Sequence, residues 1–277
     1  MRIDAAVLRA KSLLIKSDSA LLDAQVLLSF VLQKESVYLM TWPEKHLTES
    51  QQKAYEVLLV ERIKGVPVAY LTGIREFWSL PFKVNNSTLI PRPDTEILVE
   101  YALKICSPQA RILDLGTGTG AIILSIASEL PNARCSGVDF NADAVQLAIE
   151  NRQILKLNNV NIYQSDWFSQ VEGRFDLIVS NPPYIDKNDH HLGEGDVRFE
   201  PLSALVAPQK GLADIRIIVA DARSHLNENA TLMIEHGFEQ GKEVRNILRL
   251  FDFDEIKTVH DYAQNERISM AIYRGLK

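Results

Sequence analysis

Four consecutive residues, Asn181-Pro182-Pro183-Tyr184, carry the chemistry from which this chain is best read. They follow a short apolar run, Leu177 to Val179, that reads as a buried strand, and two prolines then forbid both a continuing ladder and an immediate helix. Proline has no N–H, so the turn presents free carbonyl acceptors on a rigid frame, while Asn181 adds a side-chain acceptor and Tyr184 a flat apolar face. This is a receptor for a planar group bearing an NH2, either an amide or an exocyclic amine. Asn-Pro and Pro-Pro are also ordinary turn punctuation, so the tetrapeptide alone reads equally well as a plain turn.

Upstream, Ile112-Leu-Asp-Leu-Gly-Thr-Gly-Thr-Gly120 is a strand running into a glycine-rich turn at a helix start, a form that lets a ligand approach the backbone closely. Gly116, Gly118 and Ala121 satisfy the dinucleotide fingerprint by spacing, and Asp139 lies where a ribose-binding acid belongs, so a nicotinamide enzyme is one reading. Two features point elsewhere. Asp114 precedes the first glycine, where a carboxylate is unwelcome to a pyrophosphate and welcome to a cation. Ser165-Asp166-Trp167 ends the third strand and supplies an acceptor for an amine and a ring to lie against a base. Carboxylates at 114, 139 and 166 outline one crevice at the carboxyl ends of neighbouring parallel strands. The ligand they describe is a cationic adenosine compound with two ribose hydroxyls, and S-adenosylmethionine fits. The candidate cofactor-binding set is therefore Asp114, Gly116, Thr117, Gly118, Thr119, Gly120, Asp139, Asp166, Trp167 and Asn181, with no metal implied.

These groups need a scaffold, and the chain supplies one in three parts. Residues 1–72 read as helical, with Ile3, Val7, Ala10 and Leu14 on one face and Leu21, Ala24, Leu28 and Val31 on another. Thr48-Glu-Ser-Gln51 has the form of a capping box opening a third long helix with Tyr55, Leu58, Leu59 and Ile63 on one side. Residues 73–90 place Phe77, Trp78, Leu80, Phe82 and Val84 close together around Pro81, which predicts an aromatic hairpin joining two domains. From 91 to 277, Asp94 is positioned to cap a helix, and strands and helices then alternate: strands over 111–115, 134–139, 160–165 and up to 180, helices over 119–130 and 142–157. Such alternation means a parallel sheet with helices on both faces. The polar stretch 186–208 reads as a functional loop, followed by a helix over 212–226, a strand over 230–235, a helix over 239–250 and two terminal strands that pair antiparallel at the sheet edge.

The composition, 46% hydrophobic and 24% charged over 277 residues, is that of a globular protein able to bury a full core. A net charge of −6 argues against a broad nucleic-acid-binding surface, and residues 1–72 carry nine Lys/Arg against eight Asp/Glu, so the helical part is no basic platform. Cys106 and Cys135 lie in no ligand spacing, and no stretch approaches a membrane span or a secretory leader; the expectation is a cytoplasmic protein. Glu235-His236 at a strand end is assigned a structural role, His190-His191 a solvated one, and Arg198 and Glu200 in the polar loop a grip on a protein substrate.

Asp114-Leu-Gly-Thr-Gly-Thr-Gly120 followed some sixty residues later by Asn181-Pro-Pro-Tyr184 resembles the class I S-adenosylmethionine-dependent methyltransferases that act on planar nitrogens. The helical N-terminal part, Arg75-Glu-Phe-Trp-Ser79, Leu89-Ile-Pro-Arg-Pro-Asp-Thr-Glu96 and Asn181-Pro-Pro-Tyr-Ile185 together resemble the HemK/PrmC family of protein-(glutamine-N5) methyltransferases. The resemblance implies an α/β fold: a Rossmann-like methyltransferase domain with a seven-stranded, mostly parallel sheet whose last strand is antiparallel, plus a small N-terminal helical bundle that recognises substrate. It implies methylation of the glutamine in the Gly-Gly-Gln loop of class 1 peptide chain release factors, with no membrane and no direct nucleic-acid partner. Gly116 to Gly120 and Asp139 then hold the methionine and ribose parts of S-adenosylmethionine, Trp167 contacts the adenine, and Asn181 to Tyr184 hold the target glutamine, the tyrosine sandwiching the amide plane. An amide nitrogen is a poor nucleophile, so Asn181 Oδ1 and the Pro182 carbonyl are expected to accept its two N–H bonds, align it and stabilise the charge it gains. Asn-Pro-Pro-Tyr is shared with adenine-N6 methyltransferases of DNA and RNA, the nearest rival; a nicotinamide dehydrogenase and a non-catalytic adaptor are the others.

Overall fold

The structure, a computed structural model, describes residues 1–275. The chain divides into two compact units, Met1–Ile74 with Gly193–Phe199, and Arg75–Leu192 with the chain from Glu200 onward.

The first unit holds helices α1 (Ile3–Leu13), α2 (Ala20–Leu32), α3 (Ser36–Thr41), α4 (Glu49–Ile63) and α5 (Val68–Thr72). Ile3, Val7, Ala10 and Leu14 are buried in one cluster with Ala24, Leu27 and Leu28 of α2 and Tyr55 and Leu59 of α4, as their spacing demands. The capping box forms: the Gln51 N–H donates to Thr48 Oγ1 (3.2 Å) and the Thr48 N–H to Gln51 Oε1 (2.9 Å). Tyr55 satisfies its buried hydroxyl by donating to the Ala24 carbonyl at 2.8 Å. The expected α2 face is kept at Ala24, Leu28 and Val31 and lost at Leu21. Its buried stripe runs through Ala24, Leu27 and Leu28, whereas Leu21 is exposed, as are Leu22, Val26 and Phe30 at four-residue intervals. On α4, likewise, Ile63 is exposed. Arg62 fastens the Gly193–Phe199 stretch to this unit by pairing with Asp23 (2.8 Å) and Asp196 (3.2 Å).

In the second unit the aromatic stretch is a hairpin of β1 (Ile74–Phe77) and β2 (Leu80–Lys83). Its two-residue turn puts Trp78 and Ser79 at φ 53° and 58°, the left-handed pair that matches the strand twist. The Trp78 N–H is held by Glu96 Oε1 at 2.8 Å, and Phe77 and Phe82 meet edge to face at 6.1 Å. A 3-10 turn, Pro93–Thr95, leads into α6 (Glu96–Ile105). Asp94 does not cap this helix, because the 3-10 turn winds directly into it and its carboxylate faces Arg267 at 3.5 Å instead.

The sheet contains β3 (Arg111–Leu115), β4 (Arg134–Asp139), β5 (Val160–Gln164), β6 (Phe175–Ser180), β7 (Leu226–Glu235), β8 (Asp254–His260) and β9 (Glu266–Tyr273). Between them run α7 (Ala121–Glu129), α8 (Ala142–Ile154), the single turn α9 (Pro208–Gly211), α10 (Ala213–His225) and α11 (Gly241–Leu250). The order is β5-β4-β3-β6-β7-β9-β8, with β9 antiparallel to both neighbours and the pairs among β3 to β7 parallel. Successive strand residues alternate between two cores: Ile112 and Leu177 face the side of α6 and α7, and Leu113 and Ile178 face α10 and α11. Burial on both faces is why these strands read as unbroken apolar runs. The chain leaves β3 for β4 and β5, then returns to pair β6 on the other side of β3, so the crevice lies at the carboxyl ends of β3 and β6. Leu115 is in register with Ser180, whose buried hydroxyl donates to the Leu115 carbonyl at 2.8 Å. Gly116 and Asn181 therefore leave the sheet side by side.

Candidate active site

A cavity of about 730 Å³ opens at this switch point, within the usual range of small-molecule sites, roughly 300–1,000 Å³. Gly116, Thr117, Gly118 and Thr119 line it from the β3 turn, Asp139 from β4, Asp166 and Trp167 from the β5 end, and Asn181 and Pro183 from β6. The turn is wound by glycines in the left-handed region, Gly116 at φ 69° and Gly118 at φ 54°, and a Cβ on Gly116 would sit 3.5 Å from the Trp167 ring. Asp139 braces the turn: its Oδ2 accepts from the Gly118 N–H and its Oδ1 from the Asn141 N–H, both at 2.9 Å. Burial pushes the Asp139 carboxyl up, while these N–H groups pull it down. Both oxygens keep lone pairs for the hydroxyls of a ribose. Trp167 holds a left-handed backbone, φ 44°, fixed by its carbonyl accepting from Ser165 Oγ at 2.7 Å and by Ser169 Oγ accepting from the Asp166 N–H at 3.1 Å.

Four of the sequence-predicted residues lie outside the lining. Gly120 starts α7 at φ 81° and is required there because a Cβ would meet Leu124 at 2.8 Å. Asp114 is wholly buried beneath the turn, where its Oδ2 accepts from Thr117 Oγ1 at 2.6 Å and its Oδ1 has no partner among the described residues. Burial lifts its pKa to about 7. Pro182 is buried, and Tyr184 is half-buried, packed against the core on the α10 and α11 side. The Tyr184 ring, expected to sandwich the substrate amide, stands outside the cavity lining and half-buried at the edge of that core.

Several site residues escaped the sequence reading. Thr95 lines the cavity and its Oγ1 accepts from Asn181 Nδ2 at 3.2 Å; it lies in Pro91-Arg-Pro-Asp-Thr-Glu96, whose role spacing alone does not reveal. Asp214, in the first turn of α10, adds a third lining carboxylate, raised by burial and by Asp166. Phe140 adds an exposed ring beside Asp139. Glu200, expected to grip a substrate, is instead buried, accepting from the Ile90 N–H at 3.1 Å and from Arg92 Nη2 at 2.5 Å, which anchors the segment carrying Thr95. Arg198 donates to the Lys64 carbonyl at 3.3 Å within the helical unit. His236 is structural, its ring nitrogens bonded to Ser269 Oγ and the Gly237 carbonyl, both at 2.9 Å. His190 and His191 are exposed and cluster with Asp189.

Asp139, Asp166 and Asp214 together make the cavity anionic, and Phe140 and Trp167 give it aromatic walls, so the residues present fit a cationic adenosine compound. Such a sheet, with a glycine-rich turn and a ribose-type carboxylate at its switch point, defines an S-adenosylmethionine-dependent methyltransferase. The fold is shared with a methyltransferase from Pyrococcus furiosus, at a TM-score of 0.55 and 16% identity over 80% of this chain and 98% of that one. Residues 5–73 match the PrmC N-terminal domain family and residues 93–195 the methyltransferase small domain family. The release factor glutamine methyltransferase of Shewanella oneidensis is 53% identical over 94% of this chain and 92% of its own length. That of Escherichia coli is 49% identical over 93% of this chain and 94% of its own length. The chain belongs to the family of release factor glutamine methyltransferases.

Proposed function

We propose that this protein transfers a methyl group to the side-chain amide nitrogen of the glutamine in the Gly-Gly-Gln motif of class 1 peptide chain release factors, and so tunes translation termination. The observation that carries the reading is that one cavity is lined both by the Gly116–Thr119 turn and by Asn181 and Pro183, so donor and acceptor groups share a single space. S-adenosylmethionine, when bound, supplies an electrophilic methyl group. The chain supplies the rest. Gly116 to Thr119 and Asp139 hold the amino acid and ribose portions, and Trp167 and Phe140 face the base. Asn181 Nδ2 is engaged with Thr95, so Oδ1 is left to accept an N–H of the incoming amide. That hydrogen bond aligns the nitrogen and stabilises the positive charge it gains, after which the proton leaves to water. The nearby carbonyl of Pro182 is assigned the second N–H.

A protein substrate is supported by the net charge of −6 and by the exposed apolar stripe Leu22, Val26 and Phe30 on α2 of the helical unit, which we assign to release-factor recognition in the cytoplasm. Among the described residues no helix is long and apolar enough to cross a membrane. The test is methyl incorporation from labelled S-adenosylmethionine into release factor, into a Gly-Gly-Ala version of it, and into duplex DNA. Label on the intact factor alone is the expected result; label on DNA and none on the factor refutes the reading. Asn181→Ala should cost roughly 2.7–4 kcal/mol in turnover, by analogy with loss of one oxyanion-hole donor. Near-normal turnover in that variant would remove Asn181 from its role.

A further inference from the structure

Glu235 ends β7 at the carboxyl edge, one residue beyond Ile234, which is in register with Ser180. The strand pairing therefore sets Glu235 beside Asn181. Its side chain is buried, 2% exposed, and its carboxylate faces Thr95 and Asn181, which pull its pKa down against burial. Its Oε2 has no hydrogen-bond partner among the described residues, and the guanidinium of Arg267 is shared with Asp261 (3.0 Å) and Asp94 (3.5 Å). A buried carboxylate held this incompletely is costly, and two side chains of the acceptor site are what it touches.

An asparagine amide has an accepting end and a donating end of almost the same shape. Thr95 alone cannot choose between them, because a hydroxyl both donates and accepts. A carboxylate only accepts. Facing this pair, it calls for the Thr95 proton and for the NH2 end of Asn181, and so leaves Thr95 Oγ1 as the acceptor that Asn181 Nδ2 is seen to use. We propose that Glu235 is a positioning residue which, through Thr95 and directly, fixes the Asn181 amide with Oδ1 presented to the methyl-accepting nitrogen. Glu235 also opens the segment Glu235-His236-Gly237-Phe238-Glu239-Gln240, whose last side chain donates to the Tyr184 carbonyl at 2.9 Å. One loop thereby holds both ends of the Asn181–Tyr184 turn. The ionised form is the competent one, and its surroundings set its titration: burial and Asp94 oppose it, and Thr95, Arg267 and Asn181 favour it.

The proposal rests on the glutamine-methylation reading, and the experiment separates the two. Purified full-length protein and Glu235→Gln are compared for turnover on release factor, S-adenosylmethionine affinity, thermal midpoint and rate against pH. The expected result is a turnover loss of about 100-fold, the scale of one preorganised hydrogen bond, with cofactor affinity within about threefold. The wild-type rate should climb with pH as Glu235 ionises and Glu235→Gln should lack that limb. In an Asn181→Ala background Glu235→Gln should cost nothing further. Turnover of Glu235→Gln within threefold of wild type, or a full additional loss in that background, overturns the proposal. If Glu235→Gln does not fold, Thr95→Val answers instead, with a loss of at least about tenfold expected and an unchanged rate refuting. Wild-type protein silent on release factor would count against the substrate and leave Glu235 to be judged by NMR of the Asn181 side-chain amide, whose protons should shift with pH in wild type and not in Glu235→Gln. An amide insensitive to pH in both sinks the proposal whatever the substrate is.

Discussion

Asn151 is the residue whose replacement tests most directly how the site is held. It lies on the inner side of α8 with no exposed surface and makes three hydrogen bonds. Its Oδ1 accepts from the Lys83 N–H at 2.7 Å, and its Nδ2 donates to the Lys83 carbonyl at 3.0 Å and to the Thr119 carbonyl at 2.9 Å. One amide thus ties the aromatic hairpin to the glycine-rich turn. Asn151→Asp keeps the shape and the acceptor but replaces the donor with a second oxygen facing two carbonyls. Each buried acceptor so orphaned costs about 1–3 kcal/mol, giving about 4 kcal/mol for the pair at pH 8. Protonating the aspartate returns one donor, and burial against two carbonyls raises its folded pKa, so roughly half the loss should be recovered as pH falls from 8 toward about 4, the unfolded carboxyl range. Urea unfolding of the full chain at both pH values measures this, and calorimetry should show weaker S-adenosylmethionine binding because Thr119 belongs to the lining. A loss below about 1 kcal/mol at pH 8, or one that does not shrink on acidification, would refute the reasoning.

Asp139→Ala removes the acceptor for a ribose and orphans the Gly118 and Asn141 N–H groups, so S-adenosylmethionine affinity should fall by roughly 100-fold by calorimetry, at 1.5–3 kcal/mol per hydrogen bond to a charged group. A change under threefold would show that Asp139 only shapes the turn. Asp114 has a folded pKa of about 7 against an ordinary 3.8, so the folded state holds a proton that the unfolded state has lost between those values. Its burden is absent below pH 3.8, grows as pH rises and is complete above pH 7. Asp114→Asn should therefore match wild type in unfolding free energy near pH 3 and exceed it by up to about 4 kcal/mol at pH 8; a pH-independent difference would contradict this.

What the sequence made legible follows the range over which its constraints act. Strands β3 and β6 and the turns after them were readable because burial on both faces writes a mostly apolar run, and because glycine and proline punctuate it at fixed places. The capping box was readable because its partners lie three residues apart. The helical faces were harder at their ends: Leu21 of α2 and Ile63 of α4, on the predicted faces by spacing, are exposed because spacing does not say how far along a helix its neighbours reach. Side-chain direction at the site was harder still. Nothing local says that Tyr184 packs against the core outside the cavity lining or that Asp114 lies under its turn, since both follow from how the two cores close. The partners of Asn181 were beyond reach, because Thr95 and Glu235 are brought to it from 86 residues upstream and from the end of a different strand. A motif names the group that meets the substrate. The residues that decide which end of that group faces the substrate lie elsewhere in the chain, which is why Glu235, read from sequence as structural, becomes the functional question once the sheet is assembled.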